Sequence, residues 1–223
     1  MDLQKNTDRI LTQVAEAAKA AGRLAEEVQV IAVTKYVDVE TTQKLVRTGI
    51  CHIGENRVDK FLEKYHALKD ENLTWHLIGT LQRRKVKEVI NYVDYFHALD
   101  SIKLAQEIEK RAEHPIKCFL QVNISEEESK HGFLLSEIDQ VILELSTLEK
   151  LEIVGLMTMA PIDANQEKLE SIFQEALDLQ QRLQKKQLKN MPFTDLSMGM
   201  SRDYSVAIEK GSTFVRIGTA FFE

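Results

Sequence analysis

The chain has 223 residues, 43% hydrophobic and 29% charged, with a formal net charge of -6. That composition is that of a globular protein rather than a disordered one. No apolar run approaches the ~20 residues a membrane span needs, and the acidic balance sets the surface against nucleic acid and anionic lipid.

Residues 8 to 21 carry Ile10, Leu11, Val14, Ala17, Ala18 and Ala21 at helical spacing, with Gly22 as a stop. A β-branched run follows at 28–35 (VQVIAVTK), then a helix at 38–48 closed by Gly49. The alternation goes on with a strand at 50–55, a helix at 57–68, a strand at 74–79 and a helix at 81–93. Next come a strand at 95–100, a helix at 102–113 opened by Ser101, a strand at 116–123 and a helix at 135–148. A strand at 151–159, a long helix at 165–186 and a short strand at 195–200 follow. Ser201 is read as the cap of a helix running to Lys210, Gly211 ends it, and residues 214–222 form the last strand.

Eight strands separated by helices, apolar on both sides of the pleat, are the pattern of parallel strands covered on both faces. The expected fold is a single (β/α)8 TIM-type barrel spanning residues 1–223, with an extra N-terminal helix filling the gap that no helix after the eighth strand fills. A doubly wound open sheet is the alternative. It is disfavoured by the strand count and by the lack of a glycine-rich dinucleotide fingerprint after the first strand.

Two cysteines, Cys51 and Cys118, do not make a disulfide framework and have no metal-like partner nearby, so both are read as buried thiols of a reducing compartment. The polar N-terminus MDLQKNTDRI has no signal-like apolar region, which points to the cytoplasm.

Barrel chemistry sits at the C-terminal ends of the strands. Lys35 falls there, on the same side of its strand as Ile31 and Val33. If that side is the barrel interior, the amine opens into the mouth, where burial would lower its pKa and make it nucleophilic toward an aldehyde. The bland alternative is a snorkelling lysine at a strand end. The stretch MGMSRDYSVAIEKGSTFVRIGTAFF places Ser201 at a helix start and Gly218-Thr219 after Arg216. It reads either as an anion site, like the phosphate sites of barrel loops seven and eight, or as an ordinary cap and a packing glycine. Arg216 lies on the same side of its strand as Gly218 and needs an acceptor: a carboxylate if structural, a ligand ring nitrogen or phosphate if functional.

Seven segments then match a known family in order: IAVTKYVDVE (31–40), HIGENRVDKF (52–61), WHLIGTLQRRKVK (75–87), HALDS (97–101), QVNISEEESKHGF (121–133), IVGLMTMAP (153–161) and SMGMSRDYSVAIEKGSTFVRIGTAFF (197–222). The chain resembles the pyridoxal 5′-phosphate (PLP) homeostasis proteins, also called the proline synthetase co-transcribed family, which look like the barrel domain of alanine racemase. The resemblance implies a fold type III PLP-binding barrel with PLP joined as an aldimine to Lys35. It implies that Ser201, Gly218 and Thr219 hold the phosphate, that Arg216 faces the pyridine nitrogen, that Asn56 lies beside the cofactor and that Met200 lines the site. His76, Ser101 and Asn123 are weaker carry-overs. Thr80 stands where the family often has histidine, and Arg83-Arg84 replaces a frequent Ser-Asn pair, which puts the contacts of that loop in doubt.

An arginine at the ring nitrogen keeps that nitrogen unprotonated and weakens the ring as an electron sink. The expected function is therefore to bind, buffer and deliver PLP, without a dedicated reaction. The expected partners are PLP and apo PLP-dependent enzymes, with no nucleic acid or membrane, and the expected state is a monomer. A racemase-like enzyme is the alternative. It would need a second acid/base, which in alanine racemases comes from an added domain; the sequence ends after the eighth strand, which argues against one. A class I aldolase using Lys35 is a distant third. The Arg83-Arg84-Lys85 run reads as a solvated helix face, and Glu126-Glu127-Glu128 as a solubilising loop after the fifth strand.

Overall fold

Each of the eight apolar runs becomes a parallel strand, in a computed structural model that describes residues 2–127 and 131–223. The strands are β1 (Gln29–Val33), β2 (His52–Glu55), β3 (Thr74–Leu77), β4 (Tyr95–Leu99), β5 (Ile116–Gln121), β6 (Leu151–Met157), β7 (Asp195–Met200) and β8 (Phe214–Ile217). They close into one barrel in sequence order, with β8 returning to β1 through the pairs Gln29–Phe214 and Ile31–Arg216. The helices are α1 (Leu3–Ala20), α2 (Val39–Val46), α3 (Val58–Leu68), α4 (Arg83–Val89), α5 (Ile102–Arg111), α6 (Ile138–Leu145), α7 (Gln166–Gln184) and α8 (Tyr204–Glu209). This is the expected α/β barrel.

The leading helix covers the seam, as expected. Asp2 caps α1 by accepting from the Lys5 N–H at 3.1 Å, and Ile10, Val14 and Ala18 form its buried stripe. α1 packs on α8 and on a 3-10 turn at Thr219–Phe221. Asn6 Nδ2 donates to the carbonyls of Phe221 and Glu223 at 3.0 and 2.8 Å, and Arg9 donates to the Ala220 carbonyl at 3.0 Å.

The last strand stops at Ile217, earlier than the expected 222. Its ladder partner explains this: β1 ends at Val33, and the final pair is Ala32–Ile217. The chain then breaks into the 3-10 turn, which leaves Gly218 and Thr219 in a loop. Cys51 is exposed, against expectation, because it lies in the entry to β2 before the ladder begins; Cys118 is buried inside β5, where burial raises its thiol pKa. Of the acidic stretch after β5, Glu128 lies outside the described residues, as do residues 129 and 130 of the motif around it.

The barrel interior is unusually polar at mid-height. His76, His97, Ser197 and Arg216 are all buried there, alongside Phe119 and Phe214. The rings stack to fill the tube: His97 on Phe119 with centroids 4.4 Å apart, and His76 on Tyr95 at 4.9 Å.

Candidate functional site

β1 delivers the lysine. Thr34 follows the strand and is pinned from two sides. Its N–H donates to the Gly54 carbonyl at 3.0 Å, and its hydroxyl donates to Glu55 Oε1 at 2.6 Å. Its carbonyl accepts from Lys64 Nζ of α3 at 2.7 Å, and that same ammonium pairs with Glu55 Oε1. Lys35 then emerges at the tip of a tight turn closed by the Val37 N–H on the Thr34 carbonyl. Its side chain is exposed at the barrel mouth, not buried as the pleat suggested, because the strand ends two residues before it; its ammonium lies 4.8 Å from the Tyr36 ring centre. A turn has no pleat to carry alternation forward.

β2 delivers Asn56, and Gly79 after β3 makes room for it. A Cβ on Gly79 would stand 2.1 Å from the Asn56 carbonyl oxygen, so this backbone approach requires glycine.

β7 and β8 close the far side. Gly199, at φ +94, turns the end of β7, and a side chain there would meet Ala207 Cβ at 2.6 Å. Ser201 is not the helix cap. α8 begins at Tyr204 with Asp203 in the cap position, and the Asp203 carboxylate accepts from the Met200 N–H at 2.5 Å. Burial raises the pKa of Asp203, a shift opposed by that hydrogen bond and by the charge of Arg216. The Ser201 hydroxyl instead faces the Gly218 N–H at 3.5 Å, so the two loops meet at this point. Ser201 and Thr219 both sit at turn starts, where backbone N–H groups have no partner within the turn.

Arg216 has no carboxylate partner among the described residues. Its Nη1 donates to the Ser197 carbonyl and hydroxyl at 2.8 and 2.6 Å, and Nη2 donates to the Thr158 carbonyl at 3.1 Å. Burial pushes its pKa down to about 10, which still leaves it charged at neutral pH.

One cavity of about 590 Å³ is lined by Lys35, Asn56, Met200, Ser201, Arg216, Gly218 and Thr219 together. Tyr36, Ile78, Gly79, Thr80, Met157 and Met159 also reach it. The weaker candidates lie elsewhere. His76 is buried deeper in the barrel between His52 and His97, because it lies within β3 rather than in the loop that follows the strand. Ser101 occupies the cap position of α5. Asn123 donates to the Glu127 carbonyl at 2.9 Å and so braces the loop after β5. Arg83 and Arg84 are exposed, as a solvated helix face should be. Ser197 and His97 show in the sequence only as polar residues within apolar strands, and Lys64 only by falling with Phe61 and Leu68 on the buried face of α3.

Residues 6–223 match the family described as alanine racemase, N-terminal domain. The chain is 37% identical over 225 residues to the pyridoxal phosphate homeostasis protein of Aquifex aeolicus, covering 100% of this chain and 98% of that one. The chain belongs to the pyridoxal phosphate homeostasis proteins of the alanine racemase N-terminal domain family. Two solved structures from this background superimpose on it. A protein of Bifidobacterium adolescentis described as unknown aligns with a TM-score of 0.93 at 31% identity, over 99% of this chain and 94% of that one. PipY of Synechococcus elongatus PCC7942, solved with PLP bound, aligns with a TM-score of 0.83 at 32% identity, over 94% of this chain and 100% of that one. Both solved structures thus share the barrel with the chain, and among the described residues no helix is long and apolar enough to cross a membrane.

Proposed function

We propose that the cavity holds PLP and that the protein binds, buffers and delivers this cofactor without a dedicated reaction. The observation that carries the reading is the convergence of three chemically different ends on one cavity: an amine at the mouth, a buried guanidinium at the floor, and paired hydroxyl and backbone donors where the β7 and β8 loops meet. PLP has an aldehyde, a pyridine nitrogen and a phosphate, and the cavity volume lies within the usual 300–1,000 Å³ of small-molecule sites. The PLP seen in PipY supports the same reading.

Lys35 supplies the amine that condenses with the cofactor aldehyde, and Ser201, Gly218 and Thr219 hold the phosphate. Asn56 braces the ring edge and Met200 covers it. Arg216 has only donors to offer, so a ring nitrogen facing it accepts a hydrogen bond and stays without a proton of its own. When bound, PLP supplies an electron sink, and this arrangement keeps that sink weak. Beyond Lys35, Tyr36 next to it and Arg216, the described cavity wall offers no ionisable side chain, and the end of β6 with the loop after it contributes the thioethers Met157 and Met159. A two-base racemisation needs a second acid/base on the face opposite Lys35, and the acid/base the described wall offers beside Lys35 is Tyr36, its neighbour in the same turn, with its ring centre 4.8 Å from the Lys35 ammonium. Such chemistry suits holding and handing over a cofactor in the cytoplasm, with apo PLP-dependent enzymes as recipients.

The test is a PLP titration followed by borohydride reduction and peptide mapping. Reduction should tag Lys35; tagging of another lysine would sink the attachment. A chiral assay across the common amino acids with PLP-loaded protein should show no turnover, and a rate near the usual enzymatic ~1 s⁻¹ or above would overturn the carrier reading.

A further inference from the structure

Inside the barrel, five side chains from five strands form one unbroken hydrogen-bonded line. Arg216 Nη1 of β8 donates to Ser197 Oγ of β7 at 2.6 Å. Ser197 Oγ lies 2.8 Å from His97 Nδ1 of β4, His97 Nε2 lies 2.9 Å from His76 Nδ1 of β3, and His76 Nε2 lies 2.9 Å from His52 Nδ1 of β2. The first four residues are buried, and His52, half-buried, ends the line toward the N-terminal side of the barrel.

A guanidinium can only donate, so Ser197 Oγ accepts from Arg216. The Ser197 hydroxyl has one proton, and a buried hydroxyl proton without an acceptor costs about 1–3 kcal/mol. The acceptor in line is His97 Nδ1. If Nδ1 accepts, the ring proton of His97 is on Nε2 and points at His76 Nδ1. The same step then passes to His76, whose proton on Nε2 points at His52 Nδ1. We infer that Arg216 fixes the direction of every proton in this line, and that Ser197, His97 and His76 act as positioning residues that hold the Arg216 guanidinium in its aim at the cavity.

The direction requires neutral imidazoles. Burial supplies them: it lowers the pKa of His76 and His97 well below the ordinary histidine value, with neighbouring His97 and His52 adding to the effect on His76 and Arg216 adding to it on His97. A serine whose own proton is drawn toward His97 is also a better acceptor for Arg216, since bonds in a line polarise one another. An irregularity in the β7–β8 ladder between Ser197 and Met200 accompanies this contact: Ser197 is registered on Phe214, not on Arg216, yet the guanidinium reaches back to it.

The positioning role rests on Arg216 facing the bound ring, but the proton direction does not, so two measurements separate them. In full-chain protein without PLP, long-range ¹H–¹⁵N spectra at neutral pH should show His97 and His76 with the proton on Nε2 and a bare Nδ1. A proton on His97 Nδ1 would overturn the inference. Ser197→Ala removes the link; the Nε2 preference of both rings should fall toward a mixture, and the Arg216 Nη groups should rotate about tenfold faster, the effect of one lost hydrogen bond. Unchanged ring signals and unchanged Arg216 rotation in a folded Ser197→Ala protein would overturn it too. Should that variant fail to fold, the wild-type tautomers decide alone. In PLP-loaded protein, Ser197→Ala should also shift the visible absorption band; a wild-type protein that takes up no PLP would defeat the reading of the cavity and leave the cofactor-free spectra to judge the line.

Discussion

Lys64 and Glu55 form an ion pair whose side chains are 1% and 0% exposed, and both clamp Thr34, the residue before Lys35. Oε2 of Glu55 has no partner among the described residues, so the carboxylate spends its contacts on one oxygen. The pair lies outside the cavity wall and acts on it through the backbone. Removing one partner leaves an uncompensated buried charge, which typically costs about 3–5 kcal/mol. We expect Lys64→Met and Glu55→Gln each to lower the urea midpoint accordingly, and the combined Lys64→Met/Glu55→Leu protein to regain most of the loss. A double variant as unstable as the singles would show that the pair itself, not its breakage, is what matters.

Lys35 presents the opposite case. Its side chain is exposed at the end of a turn, so Lys35→Ala should change stability by no more than about 0.5 kcal/mol. The covalent attachment of PLP proposed for this lysine should vanish all the same. Thermal unfolding of the cofactor-free variant checks the first statement and borohydride trapping checks the second.

Gly79 and Gly218 both border the cavity, and they should respond differently to a methyl group. At Gly79 the new Cβ would collide with the Asn56 carbonyl at 2.1 Å; at Gly218 it would meet Val33 at an ordinary 3.5 Å. Gly79→Ala should therefore destabilise by roughly 1–3 kcal/mol, as overpacking does, and displace the Asn56 loop. Gly218→Ala should leave Tm nearly unchanged. Calorimetry of the two side by side is the check.

Acid should weaken the fold through the barrel histidines. His76 and His97 have folded-state pKa values depressed well below their unfolded value of about 6.5. The unfolded chain therefore binds more protons than the folded one below that pH. Stability is fully present above pH ~6.5 and falls as the pH drops through it, with a limiting slope of about 1.4 kcal/mol per pH unit for each histidine. Denaturant titrations from pH 7.5 to 5 should show this slope, and His76→Gln should reduce it by about half of the two-histidine effect. A flat profile in the wild type would mean that the two rings take up protons while folded.

Much of this was legible in the chain. The strands could be found because buried parallel strands must be apolar on both faces, so VQVIAV and LEIVGLM stand out from the amphipathic helices between them. The cavity residues could be found because barrel geometry gathers strand ends at one face. Where the reading missed, it was in details set by partners. The extent of β8 depends on where β1 stops, 184 residues earlier if Val33 is counted against Ile217. The cap of α8 went to Asp203 rather than Ser201 because the Met200 N–H claims its carboxylate. The line from Arg216 to His52 joins residues on five strands, and no local pattern announces contacts between Ser197 and His97 across 100 positions.

The grip of α1 on the turn at Thr219–Phe221 has a kinetic meaning. Asn6 and Arg9 hold the carbonyls of Ala220, Phe221 and Glu223, so the first turns of the chain are fastened to the segment that presents Thr219 to the cavity. Fraying of α1 and loosening of that segment are thus one event rather than two. Amide hydrogen exchange at residues 219–222 should keep pace with exchange in α1, and the Thr219 end of the cavity can open no more often than the N-terminal helix lets go.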